Sequence, residues 1–200
     1  MSKPPIFLAA SVPERDLDKY APEPVGIRDA IRALVAEVVR ERLLVFGGHP
    51  AISPLVEHAA RSLQAIDNVR IYQSEFFRAS IPPVAQKFPN LTWTKADPQG
   101  REASLTAMRN EMISSQEFAA GIFVGGMQGL VEEWEIFARL HPSTPAFPIA
   151  STEGAARNLW NNWLPPSIPG MPADLNARLA LKARLAQDLD YRILFRDILP

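Results

Sequence analysis

Short apolar runs, each too brief for a helix and bounded by turn-forming residues, recur along the chain at positions 6–10, 43–46, 69–72, 91–93, 120–124 and 146–150. Successive rather than alternating apolar positions mean that both faces of these strands are covered, which is the habit of a parallel sheet. Between the runs the period changes to that of a helix. Residues 27–42 bring Ile27, Ile31, Leu34, Val35, Val38 and Val39 to one face, and 53–65, 101–116 and 129–140 carry shorter versions of the same stripe. The alternation predicts an α/β fold: a Rossmann-like, doubly wound, mainly parallel sheet flanked by helices. Ligands of such sheets sit outside the carboxyl ends of the strands, so the residues after each apolar run are where chemistry is expected.

Two stretches break the rhythm. Residues 74–87, SEFFRASIPPVAQK, read either as a helix broken at Pro82–Pro83 or as a loop lying over the pocket. After position 149 the pattern gives a short helix over 152–163, a proline-rich link over 164–172 and a long helical stretch over 173–199. Leu175, Leu179, Leu185, Leu189 and Ile193 lie roughly along one side of that last stretch. The expected organisation is therefore one domain over residues 1–163. A C-terminal helical extension over 164–200 then packs on that domain or on a partner chain.

Composition narrows the classes. The 200 residues contain no Cys, which excludes disulfides, thiolate metal sites and cysteine nucleophiles and makes the cytoplasm the default location. The 21 basic and 22 acidic residues are interspersed, with a net charge of −1, so no dense basic face for nucleic acid is expected. The 19 prolines fall in connections such as 22–24, 82–83 and 165–172 rather than in a low-complexity tract. No apolar run reaches the roughly 18 residues of a membrane span, and that at the N-terminus is too short for a signal peptide. His49, His58 and His141 are scattered without metal-ligand spacing, so neither a metal nor another cofactor is expected. P-loop, dinucleotide-fingerprint and nucleophile-elbow motifs do not occur.

The densest chemistry lies in residues 118–137, FAAGIFVGGMQGLVEEWEIF, where an apolar strand meets a glycine turn and then a helix with two carboxylates. Gly125, Gly126 and Gly129 let the backbone approach a ligand, Met127 and Gln128 lie between them, and the helix N-terminus favours an anion. This is the outline of a nucleotide pocket. Glu132 either complements the helix dipole or contacts ligand. Glu133, about one turn into the helix, is placed to exchange a proton at a ribose or glycosidic centre. A second glycine turn, Gly47–Gly48 followed by His49, comes after the second strand, and a Gly-Gly pair there is either a tight turn or a phosphate cradle. Ser11 ends the first strand and either offers its hydroxyl or closes the turn before Pro13. Arg109, in SLTAMRNEMI, either pairs with a surface acid on its own helix or reaches the pocket.

The motifs IFLAAS, LLVFGGHPAISPLV, AMRNEMI and IFVGGMQGLVEEWEIF, spread over residues 6–150, together resemble the SLOG superfamily of Rossmann-like domains. That group includes the lonely-guy type phosphoribohydrolases and ligand-sensing domains of bacterial defence systems. The resemblance implies that Glu133 is the catalytic-type acid and Arg109 its partner, with no cofactor. It departs from the enzyme motif PGGxGTxxE: Val124 stands in place of the Pro, Met127–Gln128 follow the glycine pair where one residue is usual, and Leu130 replaces the Thr. The divergent, defence-associated branch is the nearer likeness. The expected function is binding of a nucleotide-derived small ligand, ADP-ribose-like, cyclic or a nucleoside monophosphate, by a homodimer or higher oligomer that a separate effector reads. The alternatives are hydrolysis of an N-glycosidic bond in a nucleoside monophosphate and a structural module without ligand.

Overall fold

The computed structural model describes residues 3–21 and 23–200. Met1, Ser2 and Pro22, the last of these in the proline connection at 22–24, lie outside the described residues. The elements run β1 (Ile6–Ser11), α1 (Pro24–Val38), β2 (Leu44–Gly47), α2 (Ser53–Ser62), β3 (Val69–Ser74), β4 (Asn90–Thr94), α3 (Arg101–Ser114), β5 (Ala120–Gly125), α4 (Gln128–Leu140), β6 (Ala146–Ile149), α5 (Gly154–Asn162), α6 (Leu175–Gln187) and α7 (Tyr191–Ile198). The sheet has six strands in the order β4-β3-β2-β1-β5-β6. Every neighbouring pair is parallel, as runs buried on both faces require.

The winding reverses at β1, whose neighbours are β2 on one side and β5 on the other. That reversal opens a crevice at the carboxyl ends of β1 and β5, where Ser11 stands level with Gly125. Side chains of β1 alternate between two cores. Ile6 and Leu8 pack with Ile27, Ile31 and Leu34 of α1, Val56 of α2, Leu185 of α6 and Phe195 of α7. Phe7 and Ala9 pack with Met108 and Met112 of α3 and Phe137 of α4. An aromatic group centred on Phe7 stiffens the second core, with centroid separations of 5.6 Å to Phe118, 5.9 Å to Phe123 and 5.4 Å to Phe137.

Of the two arrangements expected for residues 74–87, the structure has the loop, and Phe77, Ser80, Ile81 and Pro82 of it line the pocket. Short 3-10 turns at Glu75–Phe77 and Ala85–Lys87 flank an irregular stretch with Pro82–Pro83, so β3 and β4 are joined without an α-helix. Helix α1 begins earlier than its apolar stripe because Glu23 caps it, accepting from the Gly26 N–H at 3.2 Å, and Pro24 supplies a first residue with no N–H to satisfy.

The single long helix expected over 173–199 is two helices. Asp190 accepts from the Ile193 N–H at 3.2 Å and starts α7 afresh after the break at 188–190. The break changes which side chains face inward. Leu185 is buried, but Leu175, Leu179, Leu189 and Ile193 are exposed, and the inward face is completed by Leu181, Tyr191, Leu194, Phe195 and Ile198. α7 lies along α1, and α6 touches the 3-10 turn Ala150–Thr152 that follows β6. No helix among the described residues is long and apolar enough to cross a membrane.

Candidate functional site

A cleft of about 770 Å³ opens over the carboxyl ends of β1, β2, β3 and β5. Ser11, Gly47, Gly48, His49, Met127, Gln128, Gly129, Glu132, Arg109 and Glu133 all line it. Gly125 and Gly126 stand just behind, with φ of +58° and +86°. A β-carbon on Gly125 would lie 2.5 Å from Ile27 Cδ1, and one on Gly126 would lie 2.5 Å from Leu130 Cδ1. Both positions therefore require glycine for conformation and for space.

Their N–H groups are already used. The Gly125 N–H donates to Thr152 Oγ1 at 2.8 Å, and the Gly126 N–H donates to Ser11 O at 2.8 Å. The Gly126 carbonyl accepts from the Ala155 N–H at 2.9 Å. The donors free for an anion come next along the chain: Met127 is extended and gives no side-chain cap, and although the Leu130 N–H donates to Met127 O at 3.0 Å, the N–H groups of Gln128 and Gly129 are left without intrahelical partners. The turn behind is held under strain. Glu153 has φ 55° and ψ −154°, a region almost confined to glycine, and its carboxylate is pinned by Arg157 Nη2 at 2.8 Å.

Arg109 crosses from α3 to the first turns of α4. It is only 9% exposed. Its Nη1 donates to Glu132, and its Nε lies 3.5 Å from Glu133 Oε1, too far for a well-formed hydrogen bond, so Nε is buried without an acceptor. Gly129 makes room for the guanidinium, because a β-carbon there would come within 2.6 Å of Arg109 Nη2. The first turn of α4 carries no acid, so Glu132 and Glu133 are held by Arg109 rather than by the helix dipole, whose influence fades within that turn.

Burial decides the protonation of Glu133. Its side chain is 14% exposed, and desolvation pushes its carboxyl up to about 7 in spite of the neighbouring Arg109 cation, with Glu132 adding to the rise. Glu133 is thus poised to take or give a proton near neutrality. His49 sits at the β2 side, where burial moves its imidazole down against the opposing pull of Glu14. Its Nδ1 accepts from the Ala51 N–H at 3.2 Å, which assigns the ring proton to Nε2.

Gln73, Phe77, Ile81, Arg15 and Arg101 also line the cleft and were not singled out from sequence. A glutamine inside the run VRIYQS at a strand's carboxyl end was the available signal for Gln73. Thr152 gave none, because its role depends on a contact across the sheet. Among the described residues, no cluster of His, Cys, Asp or Glu could hold a metal ion.

A parallel sheet that reverses at β1, with a cleft at that reversal, an uncapped helix N-terminus and a buried arginine between two carboxylates, defines a Rossmann-like α/β domain with a candidate site. The chain belongs to the SLOG cluster3 family, whose model matches residues 19–199. No curated protein matches it. Membership of the SLOG family is consistent with a nucleotide-related role.

Proposed function

We propose that this protein binds a phosphorylated ribosyl compound of nucleotide origin in the cleft. The observation that carries the reading is Arg109, a buried cation with an unpaired Nε–H, lying beside the free N–H groups of α4. A phosphate would take those N–H groups, and the ribose hydroxyls would donate to Glu132 and Glu133. Gly129 and the glycine turn behind it hold this surface in place, and Ser11 and His49 border it. Titration calorimetry with nucleoside monophosphates, ADP-ribose and cyclic ADP-ribose tests the reading. Saturable heat that vanishes in Arg109→Leu supports it; no heat with any of them in the wild type overturns it.

In this reading the bound state serves bacterial defence signalling in the cytoplasm, through a homodimer or a separate effector; membership of the SLOG cluster3 family is what supports it. The exposed Leu175, Leu179, Leu189 and Ile193 of the extension over 164–200 favour self-association, because four large apolar side chains on one short region are costly to leave in water.

One observation favours a second reading, hydrolysis of an N-glycosidic bond. A carboxyl near 7 that is mostly buried suits a general acid or base. Water would add to the ribosyl carbon as the bond to the base breaks. Glu133 would take the water's proton and give it to the leaving base, and Arg109 would hold the carboxylate in position. Free base released from a nucleoside monophosphate, and falling about 100-fold in Glu133→Gln, is the expected mark of this reaction; intact substrate in the wild type excludes it for that compound.

A further inference from the structure

Helix α4 lines two separate spaces. Gly129, Glu132 and Glu133 border the cleft, whereas Val131 and Trp134, one turn apart, border a second pocket on the side toward α5. That pocket has a volume of about 460 Å³, within the size range of small-molecule sites. Leu159 of α5 and Trp163, the residue that ends α5, form the opposite wall, and Leu164 forms the lip. Trp134 is braced by Phe123, edge-on with ring centroids 4.8 Å apart. Leu164 is 74% exposed, more than any other large apolar side chain among the described residues, and a ligand in the pocket would cover it.

The pocket is polar at one end and apolar at the other. Tyr20 Oη donates to Gln128 Oε1 at 3.3 Å, and Asn158 Nδ2 donates to the Lys19 carbonyl at 3.0 Å, which seats residues 19–20 at the start of α4. Lys19 is the one charged residue in the lining. Its ammonium lies 4.9 Å over the Tyr20 ring and makes no ion pair among the described residues. Asp16, three residues earlier, lines the cleft rather than this pocket. The positive end of the α4 dipole adds to the same sign of charge. Trp134 lies six residues beyond Gln128, about 9 Å along α4, so the indoles stand away from the cation. An elongated molecule with one anionic head and an apolar body matches this gradient.

We propose that the space between α4 and α5 is a second small-molecule site, which takes an apolar monocarboxylate with its head on Lys19 and its body against Trp134 and Trp163. The proposal does not rest on the phosphoribosyl reading of the cleft. A head with two negative charges is disfavoured, because only one cation is present to balance it.

The test is titration calorimetry with octanoate, 4-phenylbutyrate and indole-3-propionate, each beside its primary amide, on the wild type, Lys19→Met and Leu164→Ser. Both substitutions fall on exposed side chains, so the fold tolerates them. The acids are expected to bind one to one and about 5-fold tighter than their amides, the contribution of one exposed ion pair. Lys19→Met should bring acid and amide level. Leu164→Ser should weaken both about 5-fold through lost apolar contact. Failure of all three acids to bind the wild type overturns the site, and equal binding of acid and amide overturns the carboxylate head. Binding that neither substitution changes puts the molecule elsewhere and overturns the site as well. None of these outcomes depends on whether a nucleotide binds the cleft.

Discussion

At the end of β2, Gly47 and Gly48 have no positive φ, and the Gly48 N–H continues the ladder to Tyr72 O at 3.1 Å. At the end of β5, Gly125 and Gly126 both have positive φ, and their N–H groups close onto Thr152 and Ser11. The first pair is set by neighbouring side chains: a β-carbon on Gly48 would meet Gln73 Nε2 at 2.2 Å, whereas one on Gly47 would meet nothing closer than Met108 Cε at 3.6 Å. The second is set by backbone shape. Neither pair cradles a ligand with its own donors. The glycines after β5 instead turn the chain so that the next residues, at the start of α4, face the cleft with theirs free.

The comparison is easiest to break at β5. Gly125→Ala forces a left-handed residue and a clash with Ile27 and Ser11, and should cost about 4 kcal/mol, read as a fall in the urea midpoint with little change in slope. Arg109→Leu removes the cation between two partly buried carboxylates and should cost about 3 kcal/mol, a figure held down by the 37% exposure of Glu132. Thermal melts at pH 8 check it, and the loss should shrink at pH 5 as Glu133 becomes neutral.

Glu133→Gln sharpens the electrostatic side of the comparison. A carboxyl raised from 4.5 to about 7 holds its proton more tightly in the folded chain, so the folded state is favoured below the unfolded pKa and loses that advantage as pH rises through 7. The wild type should lose up to about 3 kcal/mol between pH 4.5 and 7 from this group, and the variant should show a flatter profile in denaturant titrations across that window. The smallest effects are expected at β2. Gly48→Ala should cost about 1 to 2 kcal/mol because Gln73 and Ile71 must move, and Gly47→Ala less than about 0.5 kcal/mol, measured in the same urea series. Equal losses at Gly47 and Gly125 would sink the distinction.

The inner strands were legible because their apolar runs are covered on both faces, the edge strand β4 being only half-buried, and the Rossmann-like winding followed from the alternation of strands with helices. What could not be read depended on contacts between distant segments. Arg109 faces α4 rather than Glu102 or Glu111 of its own helix, a choice made by packing of α3 on α4. The donors of Gly125 and Gly126 seemed free in sequence because Thr152 and Ser11 are remote from them along the chain. The crossover at 75–89 lacks a period of either kind, so a loop over the pocket stood beside a broken helix as its reading, and nothing in the sequence singled out Phe77 and Ile81 as the side chains that line the cleft. The break in the C-terminal extension had a visible cue, Asp188-Leu189-Asp190, with an aspartate as the cap of a new helix.

Thr152 ties the end of β5 to the 3-10 turn after β6. Its hydroxyl accepts from Gly125 and donates to the Ile149 carbonyl at 2.6 Å, and the 3-10 turn that carries it is touched by both α1 and α6. Deuterium uptake at the Gly125 amide therefore reports whether the C-terminal helices are seated. A partner that peels α6 away would register as faster exchange at the back wall of the cleft, without touching the cleft itself.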